Sequence, residues 1–172
     1  INISCPNVKE GGIEFGVNCE MTEKLTKEIR QRTDKLLIMK LAPNVTRIED
    51  IAKAAESSGA DAVSAINTVV GMAIDIKTRK PKLNTTFGGL SGPAIKPIAL
   101  ANVHKVFKAV KIPVIGIGGI ATAEDVIEFI LAGASLVQIG TMNYQNPNLG
   151  PKLKEKLSKY LNDNDFNDLG NL

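Results

Sequence analysis

Short apolar runs alternate along this chain with stretches of helical periodicity. Lys35-Leu36-Leu37-Ile38-Met39-Lys40 reads as a buried strand that ends in a lysine. Asp61 to Ile66 reads as a second strand and ends at Asn67-Thr68. Ile112 to Gly116 is a third, and Ser135 to Ile139, ending at Gly140-Thr141, is a fourth. Ile1-Asn2-Ile3 reads as the stub of another. The runs lack polar alternation, which is the pattern of parallel strands covered on both faces.

The intervening segments carry helix signals. Thr46 and Glu49 have capping-box spacing, with Ile48, Ile51, Ala52 and Ala55 following at helical intervals. Thr122 and Asp125 predict a second helix start, with Val126, Phe129 and Ile130 on one face and Gly133 as its stop. Further helices are expected over about 22–32 and 97–110. Residues 69–93 break the rhythm and read as a long functional loop, with room for a small hairpin. From Leu161 the chain is rich in Asn and Asp, so a domain over 1–160 and a frayed polar tail over 161–172 are expected.

Repeated strand–helix units predict an α/β fold. Every strand ends in a polar or glycine cluster: Asn2 and Cys5, Lys40, Asn67 and Thr68, Gly118 and Gly119, Gly140 and Thr141. A closed parallel barrel brings all such ends to one rim, which favours a (β/α)8 TIM barrel over a doubly wound sheet. About five of the eight units are present. The chain is therefore expected to be the C-terminal part of a larger barrel, with the remaining units upstream. Standing alone, it is expected to leave two strand edges unpaired.

Composition narrows the function classes. The 172 residues are 44% hydrophobic and 23% charged, with a net charge of +3, as in an ordinary globular domain. No apolar run approaches the ~20 residues of a membrane span. Scattered lysines and 4% aromatics give no stripe for nucleic acid. Cys5 and Cys19 are the only cysteines, which suits a reducing, cytoplasmic setting rather than a disulfide framework.

The candidate chemistry gathers at the strand ends. Cys5 lies in a Ser-Cys-Pro-Asn loop between the carboxamides of Asn2 and Asn7. A buried structural thiol is one reading, and a general base is the other, since a thiol titrates near ~8.5. Cys19 precedes a helix and reads as structural. Asn2, Asn7, Asn67 and Thr68 suit either turns or the imide-like edge of a planar substrate. Lys40, closing an apolar strand, must reach the rim or meet an anion. Gly116-Ile117-Gly118-Gly119 and Gly140-Thr141 follow consecutive strands and suit a phosphate, with a helix N-terminus behind them. Gly88-Gly89-Leu90-Ser91-Gly92-Pro93 offers a third backbone contact or a tight turn.

Taken together, these segments resemble the dihydroorotate dehydrogenases, in particular the class 1B catalytic subunits. The match is carried by Asn2 to Lys9, Lys40 to Thr46, Asn67-Thr68 with Gly71 to Asp75, Gly88 to Ala99, Ile115 to Ile120, and Gly140-Thr141. The resemblance implies an FMN-dependent TIM barrel that oxidises dihydroorotate to orotate in pyrimidine biosynthesis. It implies that Cys5 is the base that takes the C5 proton while hydride leaves C6. It implies substrate contacts from Asn2, Asn67 and Thr68, to which the residue reading adds Asn7. Flavin contacts are implied for Asn2, Lys40, Ile66, Gly92, Gly118, Gly119, Gly140 and Thr141. It also implies a homo-oligomer or heterotetramer with an electron-transfer subunit that carries FAD and an iron–sulfur cluster and passes electrons to NAD. Two cysteines are too few for this chain to hold such a cluster itself. Competing readings are the related flavin domain of dihydropyrimidine dehydrogenase and an inert half-barrel that binds only phosphate or a partner.

Overall fold

The four apolar runs form one parallel sheet, and helices cover one of its faces. The structure is a computed structural model that describes residues 1–3 and 14–171. In chain order the elements begin with α1 (Glu14–Val17), α2 (Cys19–Arg30), β1 (Ile38–Leu41), α3 (Ile48–Ser57) and β2 (Ala62–Ala65). An irregular segment follows, with β3 (Val69–Gly71), β4 (Ile74–Asp75), β5 (Lys80–Pro81) and β6 (Gly88–Leu90). The chain then resumes with α4 (Lys96–Ala109), β7 (Val114–Ile117), α5 (Ala123–Leu131), β8 (Leu136–Gln138), α6 (Met142–Gln145) and α7 (Leu149–Asp163).

The sheet order is β1-β2-β7-β8, all parallel. Each neighbour is the next major strand in sequence, which is how a (β/α) barrel wall is laid down. The opening stub extends this wall, since Asn2 bridges Lys40 in parallel and the Ile1 carbonyl accepts the Lys40 N–H at 2.8 Å. Residues 69–93 hold the expected hairpin and a second pairing. β3 pairs β6 and β4 pairs β5, both antiparallel, giving two short ribbons.

Strand alternation sorts the side chains. Met39, Leu41, Val63, Ala65 and Val114 are buried with Ile51 and Ala55 of α3, Val103 and Val106 of α4, and Val126 and Phe129 of α5. Phe129 is wholly buried; deleting such a ring costs about 3–5 kcal/mol. The opposite face presents one row across the register, Lys40, Ser64, Ile115 and Leu136. On this face the Ser64 hydroxyl donates to Gln138 Oε1 at 2.9 Å, passing over β7.

Two helix starts differ in outcome. Thr122 and Asp125 form the full capping box. Thr46 does not cap α3: Arg47 holds the N-cap position without a side-chain cap bond, and its guanidinium pairs with Asp50 at 2.6 Å. Glu49 is thereby one position too early to close a box. α5 stops at Gly133, whose φ of +106° and 2.2 Å clearance between a built Cβ and the Phe107 ring admit no side chain. At the chain's end α7 runs on to Asp163, past the Leu161 boundary, and a 3-10 turn at Leu169–Asn171 lies against α5.

The ends of β1 and β2 away from the glycine loops are tied by structural bonds. Asp61 accepts the Leu37 N–H at 2.7 Å and an Arg30 N–H at 2.8 Å. Glu56 accepts the N–H groups of Lys111 and Ile112. No comparable fixed polar lattice is needed at the other rim if that rim is to admit a ligand.

Candidate functional site

The C-terminal ends of the strands surround one open cleft of about 530 Å³. Lys40, Ile66, Asn67, Thr68, Gly92, Gly118, Gly119, Gly140 and Thr141 all line it. Asn2 joins them through a direct contact, since Asn67 Nδ2 donates to Asn2 Oδ1 at 3.1 Å. Cys5 and Asn7 lie outside the described residues. Cys19 is half-buried against the core, away from the cleft lining.

The amide end of the cleft is built from β1, β2 and the stub. Asn67 Oδ1 accepts the Thr68 N–H at 2.7 Å, which sets the orientation of its carboxamide toward Asn2. Asn44, missed in the sequence reading, braces this end. Its Nδ2 donates to the Thr68 carbonyl at 3.1 Å and its Oδ1 accepts the Val70 N–H at 3.0 Å. Its position in a Pro-Asn turn just past a strand was the available signal. The Ala65–Ile66 peptide entering this corner is cis. Among the described lining residues, Lys40 is the one charged side chain.

The glycine end is a backbone surface. Gly92, Gly118 and Gly119 have φ values of +89°, +137° and +80°. At Gly119 the constraint is close approach as well as φ: a Cβ there would lie 2.9 Å from the Gly92 carbonyl and from the Lys96 backbone nitrogen. A Cβ on Gly140 would meet nothing within 4 Å. Backbone N–H groups in such left-handed turns suit an anion.

The N-terminus of α5 behind the glycines carries a capping network. Asp125 Oδ2 accepts the N–H groups of Ala121 and Thr122, both at 2.8 Å, and Thr122 Oγ1 accepts the Asp125 N–H. Asp125 is 8% exposed and pairs with Lys96 Nζ at 2.6 Å. Burial pushes the Asp125 carboxyl up, but Lys96 and the two N–H donors outweigh it and hold it below the usual range. Hydrogen bonds to Asp125 and Glu128 raise the Lys96 ammonium. In the sequence Asp125 reads only as a helix-start residue, because 29 residues separate it from Lys96.

Among the described residues no cluster of His, Cys, Asp and Glu could hold a metal. Nor is any helix among them long and apolar enough to cross a membrane.

Known proteins match the chain along its length. The family model described as dihydroorotate dehydrogenase matches residues 1–161. The chain is 52% identical over all 172 residues to a protein of Porphyromonas gingivalis named dihydroorotate dehydrogenase B (NAD(+)), catalytic subunit, covering 56% of that protein. Proteins of the same name from Alkaliphilus oremlandii and Bacillus mycoides are 53% and 54% identical over 98% and 96% of this chain, covering 56% and 54% of their own lengths. The chain thus spans about half the length of the curated relatives it matches. With four sequential parallel strands, their C-terminal ends on one cleft, and half of all positions identical along its full length, this chain belongs to the dihydroorotate dehydrogenase family.

Proposed function

We propose that the protein containing this chain oxidises dihydroorotate to orotate in pyrimidine biosynthesis, with FMN in the cleft. The observation that carries the proposal is the Asn2–Asn67 carboxamide pair, set beside Lys40 at one end of a cleft whose other end is glycine backbone. A planar ring with imide edges needs paired donors and acceptors. A phosphate needs close backbone N–H groups.

The residues fit FMN. Gly118, Gly119, Gly140 and Thr141 would hold the phosphate, and Ile66 and Gly92 would meet the flavin through their backbone; the close packing at Gly119 leaves no room there for a side chain. Lys40 would face the ring and offset negative charge gained there. When bound, FMN supplies the acceptor for the hydride from C6 of the substrate. Asn2, Asn7, Asn67 and Thr68 orient the substrate's carbonyl and N–H groups. Cys5, as thiolate, takes the C5 proton, so one C–H bond is lost as a proton and the other as a hydride. The NAD(+) in the relatives' names supports a further reading, in which electrons leave through a partner subunit bearing FAD and an iron–sulfur cluster.

Anaerobic titration of the purified holoprotein tests the proposal. Dihydroorotate is expected to bleach the flavin absorbance stoichiometrically, and dihydrouracil to leave it unchanged. Bleaching by dihydrouracil alone, or a protein that takes up no flavin, overturns it.

A further inference from the structure

Lys96 stands on the first turn of α4, next to the glycine end of the cleft, yet its ammonium faces away from that role. Nζ lies 2.6 Å from Asp125 Oδ1 and 2.8 Å from Glu128. The other oxygen of Asp125 holds the N–H groups of Ala121 and Thr122. The Lys96 backbone nitrogen and Cβ lie 2.9 Å from where a Gly119 Cβ would be. The Gly118–Thr122 turn is therefore held at both ends by one residue. Its start rests on the Lys96 backbone, and its finish hangs on a carboxylate that the Lys96 side chain fixes.

We propose that Lys96 and Asp125 are a coupled pair of positioning residues that set the spacing of the Gly92 and Gly118–Gly119 turns, and so tune affinity for the phosphate of a bound flavin. This rests on the reading of the glycine end as the phosphate site. Two consequences separate a positioning pair from a direct phosphate ligand. First, loss of either partner frees the Gly118–Thr122 turn, so both substitutions act in the same direction. If Lys96 were a phosphate ligand held back by Asp125, removing the carboxylate would release it and tighten binding. Second, the effect is confined to the phosphate. Riboflavin lacks one and reads only the ring end of the cleft.

The test uses purified holoprotein stripped of flavin and titrated with FMN and with riboflavin by fluorescence quenching. Lys96→Met, which keeps the apolar stem, and Asp125→Asn are each expected to weaken FMN on the order of tenfold, as loss of a supporting contact does, while riboflavin affinity holds. The double variant is expected to lose no more than either single one, because the two groups act as a unit. Lys96→Arg, which retains the charge, is expected to recover part of the loss. Glu128→Gln, at a half-exposed partner, is expected to shift FMN affinity by no more than about twofold. FMN affinity unchanged in Lys96→Met, tightened in Asp125→Asn, or lost in parallel with riboflavin affinity overturns the positioning role. Equal binding of FMN and riboflavin by the unaltered protein removes the phosphate site itself, which is a different failure.

Discussion

Asn67 and Asn2 meet side chain to side chain at 3.1 Å although 65 residues separate them. The contact follows from the sheet: Asn2 flanks Lys40 on β1, and Asn67 leaves β2 two positions beyond Ala65. With Asn67 Oδ1 committed to the Thr68 N–H, the pair presents a defined amide edge. Asn67→Ala is expected to lower kcat/KM for dihydroorotate by roughly ten- to hundredfold, the range for a lost hydrogen bond to a desolvated substrate group. Flavin content should hold. Steady-state kinetics with a flavin absorbance ratio decides this, and unchanged kcat/KM would remove Asn67 from the substrate site.

Cys5→Ala is expected to leave FMN bound and to slow flavin reduction by about 10²–10⁴, the span of general-base catalysis. Cys5→Ser should keep slight activity, because a hydroxyl is the poorer base. Only the thiolate accepts a proton, so the reduction rate in the unaltered protein should rise with pH through the thiol range near ~8.5. Stopped-flow reduction between about pH 6 and 10 checks the slope, and a flat profile in the chemical step would exclude a thiol base.

Lys40→Ala is expected to weaken FMN or slow its reduction more than Lys35→Ala does. Lys40 lines the cleft, whereas Lys35 is exposed and precedes the opposite end of β1, where its carbonyl accepts from Arg30. Flavin titration of both variants settles the comparison, and equal losses would place the functional rim wrongly.

Gly119→Ala and Gly140→Ala form a contrasting pair. At Gly119 an added methyl group meets backbone at 2.9 Å with φ at +80°, so stability should fall by about 1–3 kcal/mol. At Gly140 nothing lies within 4 Å, so thermal stability should hold while FMN binding weakens. Calorimetry of the flavin-free proteins measures the first effect and titration the second. A destabilised Gly140→Ala variant would contradict the open geometry.

Asp125 gives a pH signature. Its carboxyl sits below the ordinary value of 3.8, since Lys96 and the Ala121 and Thr122 N–H groups outweigh burial. A depressed carboxyl stabilises the fold above its unfolded value and loses that contribution as pH falls through the folded value. Asp125→Asn should therefore be less stable by about 1–2 kcal/mol across about pH 5 to 8. The gap should close only below about pH 4. Thermal unfolding of the two proteins across that range tests it, and a gap that widens on acidification would contradict the sign.

The strands were legible because each is a short, mostly apolar run without polar alternation, the pattern of parallel strands in an α/β fold. Their common rim followed from the polar residue at each end. Local chemistry read correctly at Thr122, where cap and acceptor are three residues apart. It failed at Thr46, because an arginine one position later, salt-bridged to Asp50, starts the helix instead. The small hairpin expected within 69–93 is there as β4 and β5, but the second ribbon could not be placed because strands of two or three residues carry no alternation. Asn44 and the Lys96–Asp125 pair were invisible for another reason. Their partners are distant in sequence, and no spacing rule links a turn asparagine or a helix-start lysine to a particular neighbour.

The bond from Ser64 to Gln138 carries a geometric consequence. Strands two apart in a flat sheet stand about 9.6 Å from each other, twice the interstrand spacing, and side chains rising perpendicular from them would run parallel. These two touch at 2.9 Å above β7, a span that the long Gln138 side chain closes most readily where the face that bears them curves inward. A substitution that splays Ser64 from Gln138 would therefore loosen the hold between strands that are not hydrogen-bonded neighbours rather than empty a cavity.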